Sequence, residues 1–381
     1  MDYHGPDKIP IKKDNLFNME CFRAKDLVVQ EFDRSEDLWA TRGLMIYCLK
    51  NNDHFFRKVA RIPSGFSLFW LNNLTLIRRF THKPECAEMT INGAGQICAF
   101  ASGYMWISQG IGKKFQKTLK LPNYGIGIGR GVMSTGISQI NNEGFLIGEY
   151  FDNPSRNSVR IFEFNLADRS WKNAFEFLPG HIRHIHALQR DPFTGKFWIC
   201  TGDEGKEPMI GWSDDYFRSI VPIGQGSQAW RACQLVFTED AVYWGTDTGS
   251  PDIGGIYKWD KVRQDVEQLY KIAGAIFFAT RLSNGIIVMS TDREGFTNET
   301  DDKTRLIIIN NHNIMTTIEC GSWNYKKKGL RYNFAKLRIQ RNQGSNNLVI
   351  SCLNQKEIPE GELLIFSEEQ FNLRPSGIIN N

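Results

Sequence analysis

What this chain lacks narrows its reading first. None of its eight cysteines (Cys21, Cys48, Cys86, Cys98, Cys200, Cys233, Cys320 and Cys352) stands in a Cys-x-x-Cys pair, so neither a zinc ribbon nor a disulfide framework is indicated. Most fall inside apolar runs, where a thiol packs as a small hydrophobe. No stretch approaches 18 consecutive apolar residues, and no apolar segment follows Met1; neither a membrane span nor a secretory leader is read, and a soluble, reduced, cytoplasmic protein is the expectation. No segment of convincing length has the helical period, which removes support for an α-rich fold. The formal charge is +4, yet Lys and Arg never interleave with aromatics over a long stretch, so nucleic acid is not expected as a partner. The one dense basic run, Lys326–Arg331, reads as a solvated loop.

What remains is a chain of 381 residues with 34 glycines, 13 prolines and 12% aromatics, a composition suited to many short strands joined by tight turns. The stretch His181–Glu204 reads as one hairpin: an apolar run over 182–189, turn chemistry at Asp191–Gly195, then the aromatic and β-branched run Phe197–Thr201. The same unit recurs at 134–150, 230–247 and 276–292, each second strand ending in a small residue and then an acid: Gly148-Glu149, Gly202-Asp203, Thr246-Asp247, Thr291-Asp292. Successive acids lie about 54, 44 and 45 residues apart, within the range of propeller blades.

The sequence therefore predicts an all-β fold, a β-propeller with blades near 86–120, 134–177, 184–221, 231–271, 276–319 and 333–366. An incomplete N-terminal unit brings the count to seven, or six if that unit is not a blade. Residues 1–15 are expected as a polar arm and 16–381 as a single propeller domain. Strands at Leu16–Phe22 and Asp26–Phe32 are expected to close the ring by completing the last blade, which would remove an exposed edge. Residues 44–49 and 55–62 read as an outer hairpin. The very apolar Phe66–Phe80 falls outside the repeat and reads as an insertion that packs on one face or forms a subunit contact.

The outer hairpins carry a weaker pattern. Trp106-Ile-Ser108-Gln-Gly110-Ile-Gly112-Lys-Lys-Phe115 keeps the Ser, Gly and aromatic positions of the Asp-box, Ser-x-Asp-x-Gly-x-Thr-Trp, with Gly110 in place of the Asp; Ser170-Trp171 and Ser213-Asp-Asp215 keep parts of it. With the blade period, the chain resembles the Asp-box (BNR-repeat) propellers, the sialidase-like superfamily of glycan-processing enzymes. The resemblance implies fold more than chemistry, and in that family the boxes are turns remote from the active site.

In a propeller the innermost strand of each blade starts at the mouth where the second strand ends. One mouth should then gather Arg130, Arg183, Arg231 and Arg293 with Glu149, Asp203, Asp247 and Asp292, joined by Tyr150, His181, His184, His186, Trp230, Tyr243 and Glu294. Strand-ending acids also pair with neighbouring blades for purely structural reasons. A shared concavity lined by ionisable groups from four blades points instead to a ligand. An acidic oligo- or polysaccharide is the expected partner: Arg130, Arg183 and Arg231 would hold carboxylate, Trp230 and Tyr243 would stack on sugar, and Asp292, Arg293, Glu294 and His181 would contact substrate.

Whether the chain is an enzyme stays open at this point. Glycoside hydrolysis is the first expectation, with Tyr150 beside Glu149 as nucleophile and partner and Asp203 or Asp247 as acid, as the sialidase resemblance implies. The alternative is β-elimination at a uronate, with His184, His186 or Tyr150 exchanging the proton. A non-catalytic glycan- or protein-binding propeller is the third reading. No cofactor is required, though a divalent metal at His181, His184 and His186, with Asp203 or Glu149, is a candidate.

Overall fold

The computed structural model describes residues 7–63, 88–124, 131–249, 252–296, 299–324 and 334–372. Their strands form seven antiparallel sheets, five of four strands and two of five. The innermost strands are Val28–Phe32, Glu88–Ile91, Ile137–Ile140, Ile185–Arg190, Ala232–Phe237, Ile276–Arg281 and Lys336–Ile339, in blades 1 to 7. Each touches the next, and the seventh returns to the first, so the ring is closed. The fold is the expected seven-bladed β-propeller, and among the described residues no helix is long and apolar enough to cross a membrane.

Ring closure follows the expected strategy with different strands. Met19–Ala24 pairs with Glu362–Ser367 of blade 7, and Lys12–Leu16 adds the outermost strand. Val28–Phe32, expected beside them, is instead the innermost strand of blade 1. Within the stretch expected as an arm, Lys8–Pro10 pairs with Phe55–Arg61 at the outer edge of blade 1, and Lys12–Leu16 is strand as well. An edge strand needs only one dry face. Lys12, Lys13 and Asp14 therefore read as solvated chain although they carry a ladder. The segment 8–16 fastens blade 1 to blade 7.

The core is distributed between blades. Leu146, Ile161, Ile185 and Ile199 pack blade 3 on blade 4, and Trp198, Cys200, Leu235 and Trp244 pack blade 4 on blade 5. Burying each such large side chain contributes about 1.5–3 kcal/mol. The seven described cysteines are free and buried, as their apolar settings predict. Phe66–Phe80, Arg130, Cys86 and Lys326–Arg331 lie outside the described residues.

Candidate active site

Local irregularities of the strands build the site. The innermost strand of blade 4 carries a β-bulge: Ile185 pairs with Thr201 and Ala187 with Cys200, which leaves His186 as the extra residue. A bulge re-aims its side chain, and here it turns His186 toward His184. The second strand stops at Gly202, whose φ of +72° and 2.3 Å approach to the Glu207 carbonyl carbon from a built Cβ exclude other residues. This turn delivers Asp203 over the two imidazoles.

His184 Nε2 and His186 Nε2 stand 3.0 Å apart. Each also meets one oxygen of Asp203, at 3.1 Å to Oδ2 and 3.0 Å to Oδ1 respectively. The opposite ring nitrogens fix the tautomers: His184 Nδ1 faces the Phe151 carbonyl at 3.0 Å and His186 Nδ1 faces the Ala232 carbonyl at 3.2 Å. A carbonyl only accepts, so we assign the proton to Nδ1 in both rings. In the neutral imidazoles both Nε2 lone pairs then point at each other and at a carboxylate. Such a set is stable only around a proton or a cation.

The donor set fits a divalent metal ion. His184, His186 and Asp203 each offer one ligand atom within a common radius. Neighbouring ligands of an octahedral ion with bonds of about 2.1 Å are about 3.0 Å apart, whereas tetrahedral zinc spaces them at about 3.4 Å. The His184 Nε2–His186 Nε2 separation of 3.0 Å matches one edge of such an octahedron, each imidazole nitrogen lies 3.0–3.1 Å from a different oxygen of Asp203, and two His with one carboxylate leave further positions open. A second cluster, His186, Cys233 and Asp247, would need the unprotonated Nδ1 that the Ala232 carbonyl denies.

Electrostatics tighten the centre. Arg183 reaches Asp203 Oδ2 at 3.3 Å and Asp152 at 2.6 Å; Arg231 reaches Asp203 Oδ1 at 3.3 Å and Asp247 at 3.1 Å. Burial alone would raise the proton affinity of Asp203, but where the two imidazoles carry protons on Nε2 their hydrogen bonds outweigh it and hold the carboxyl far below its usual range. Burial holds His184 below the usual imidazole range. The Tyr150 ring lies over His184, centroids 4.1 Å apart.

The remaining expected residues divide. Asp247 and Glu294 adjoin the centre: Asp247 binds Arg231 and Cys233 Sγ, and Glu294 feels the charges of Lys336, Asp247 and Arg231. Asp292 belongs with them, paired to Lys336 Nζ at 3.2 Å. Burial pushes Asp292 up to about 8 and Glu294 up to about 7.

Others go elsewhere. Glu149 turns away from Tyr150, accepting from the Arg160 amide at 2.9 Å and from Asn123 Nδ2 at 3.3 Å, and burial pushes it up to about 7. Adjacent strand residues face opposite ways, so no Tyr–Glu dyad forms. Tyr243 bonds Asn313 in the turn at the far end of blade 6. Trp230 stacks on Trp244, 5.5 Å between centroids, as packing between blades 4 and 5. Arg293 is 1% exposed and donates to the Asp292 carbonyl and to Asp301. His181 is exposed in the preceding turn, apart from His184 and His186, so the group that could hold a metal is His184, His186 and Asp203. The sequence reading missed Lys336 and Cys233. Both sit at the start of an innermost strand, as His186 does, and the same positional rule applied to blades 5 and 7 finds them.

The sequence matches no protein-family model, and no curated protein matches it. Solved structures do match. An oligogalacturonate lyase in complex with manganese is similar over 94% of this chain and 97% of its own, with a TM-score of 0.60 and 10% identity. A structure of U3-55K covers 90% of this chain and 98% of its own, with a TM-score of 0.50 and 11% identity. A chain of a mitotic checkpoint complex covers 89% and 88%, with a TM-score of 0.51 and 8% identity. At such identities the likeness is one of fold, and membership of the Asp-box superfamily is not shown by it. The Ser213–Asp215 turn does lie between the third and fourth strands of blade 4, where Asp215 accepts from Ser213 and Ser219. These comparisons establish a seven-bladed β-propeller that has a polysaccharide lyase among its structural neighbours.

Proposed function

We propose that the protein is a divalent-cation-dependent lyase that cleaves an acidic, uronate-containing glycan by β-elimination at this mouth. One observation carries the reading: His184 Nε2, His186 Nε2 and the Asp203 carboxylate converge at 3.0–3.1 Å, with both Nδ1 protons spent on backbone carbonyls. The manganese complex of the lyase with the same fold agrees with it. Hydrolysis, the first expectation from sequence, loses its nucleophile pair because Glu149 faces Asn123 and Arg160.

His184, His186 and Asp203 would hold the cation, which supplies positive charge to neutralise a substrate carboxylate and acidify the adjacent C5–H. Arg183 and Arg231, held against Asp203, orient that carboxylate by charge-assisted hydrogen bonds. Tyr150, which stacks on His184 without belonging to the donor set, takes the C5 proton. The electron pair left at C5 forms the C4–C5 double bond, the C4–O bond breaks, and the departing oxygen receives a proton from Tyr150 or water.

The test is incubation with a panel of uronate glycans with and without manganese, read by ultraviolet absorbance of the unsaturated product and by new reducing ends. Both signals together, dependent on metal, are expected. Reducing ends without absorbance would make the protein a hydrolase, and silence in both with retained binding would make it a binding module.

A further inference from the structure

The turn that brings Asp203 to the two imidazoles is fastened by a side chain that supplies no ligand atom of its own. Glu207 Oε2 accepts the backbone N–H of Arg183 at 3.1 Å and that of Asp203 at 3.4 Å. Arg183 immediately precedes His184, so one carboxylate oxygen spans the two segments that carry the group's ligands. The paired strands stop at Ile185 and Thr201, and beyond them the Gly202 amide reaches the His184 carbonyl at 3.1 Å. Strand ends open most easily, and Glu207 closes this one.

Glu207 is itself held from blade 3. Its Oε1 accepts from Arg156 Nε at 2.6 Å, and Arg156 Nη1 donates to the Asn153 and Pro154 carbonyls at 3.2 Å. Wholly buried Asn153 donates from Nδ2 to the Arg183 carbonyl at 3.1 Å. Both backbone polar groups of Arg183 are thus fixed, the N–H by Glu207 and the C=O by Asn153. The Glu207 main chain is tied to the same strand end, its carbonyl accepting from Thr201 Oγ1 at 2.9 Å. Three charge-assisted hydrogen bonds occupy the carboxylate, and it stands outside the group that could hold a metal.

We propose that Glu207 is a positioning residue for the cation centre: it raises the affinity for a divalent ion by holding Asp203 and His184 in place, without touching the ion. This rests on the cation reading of His184, His186 and Asp203. A preformed group of ligands binds more tightly because less ordering remains to be done on binding, and residues that orient metal ligands typically carry tenfold to a hundredfold in metal affinity.

Manganese alone is the probe. Titration calorimetry gives its affinity for wild type, Glu207→Ala, Glu207→Asp, Glu207→Gln and Asp191→Asn, with unfolding followed in each as a folding control. Asp191 is the buried acid at the opposite end of the same hairpin, paired with Lys261 Nζ at 2.8 Å, so its substitution lowers stability without reaching the mouth. Glu207→Ala is expected to weaken binding about tenfold or more. Glu207→Asp keeps the charge but draws the oxygens back by one methylene; it should lose about as much, and it serves where Glu207→Ala does not fold. Glu207→Gln keeps an oxygen that reaches both amides and should stay within about threefold of wild type. Asp191→Asn should bind as wild type does. Hydrogen exchange of the metal-free proteins is the second readout, with the Arg183 and Asp203 amides losing protection in Glu207→Ala and Glu207→Asp only. Folded Glu207→Ala or Glu207→Asp with wild-type affinity, or an equal loss in Asp191→Asn, overturns the assignment. If wild type takes up no manganese, the cation reading fails, and the exchange data alone decide whether Glu207 holds the two segments; unchanged protection in both variants removes that role as well.

Discussion

Metal binding is the prediction on which the proposed chemistry turns, and it can be measured without a substrate. The perturbation is manganese added to metal-free protein. A ligand that binds only the folded state at about one hundred times its dissociation constant stabilises it by about 2.7 kcal/mol. For a chain of 381 residues, an unfolding entropy of about 2.1 cal/mol/K per residue gives about 0.8 kcal/mol/K, so the midpoint should rise by about 3 °C. Differential scanning fluorimetry across a manganese series reads this directly. Asp203→Asn removes the charged donor and His184→Ala one imidazole, and each should cut the shift to under about 1 °C. Because burial holds His184 below the usual imidazole range, the proton competes weakly and the shift should persist at pH 6. A wild-type midpoint that does not move with millimolar manganese, or an equal shift in Asp203→Asn, would refute the convergence of lone pairs as a cation site.

Further expectations follow from other parts of the structure. Tyr150→Phe should abolish formation of unsaturated product while keeping the manganese-induced midpoint shift, since the ring still covers His184; a variant with ordinary turnover removes Tyr150 from the chemistry. Glu149→Gln should leave turnover within about twofold, because its carboxyl is tied to Asn123 and Arg160. Asp292 is raised from 3.8 to about 8, so the folded state holds a proton that the unfolded chain has released. Stability from this group is then fully present below about pH 4 and is lost as pH rises toward 8, by up to about 1.4 kcal/mol per unit. Asp292→Asn should lack that decline, and denaturant unfolding of both proteins at pH 5 and pH 8.5 compares them. Deleting residues 1–17 removes the strands Lys8–Pro10 and Lys12–Leu16 and bares the Met19–Ala24 edge; the truncated protein should aggregate or melt earlier than the full chain.

Much of this was legible in order along the chain. Turn residues between apolar runs, and an acid after each second strand, gave the blade period and the antiparallel ladders, because both depend on neighbours in sequence. The antiparallel geometry also placed the ends of paired strands together, which is why His184, His186 and Asp203 could be named as a group. Alternation failed where strands were irregular or polar. Lys12–Leu16 carries too little apolar surface to be recognised as an edge strand, and the bulge at His186 depends on its pairing with Thr201 and Cys200.

Sequence by itself determined that this chain forms repeated four-stranded sheets around an axis, since hydrophobic periodicity and turn chemistry are local properties. Only the tertiary structure decided which polar groups meet. Asp203 joins two imidazoles because a left-handed glycine turns it there, Glu149 leaves Tyr150 because successive side chains point apart, and Lys336 reaches Asp292 from the next blade across the closed ring. Those outcomes rest on distances between segments far apart in the chain, which only packing fixes.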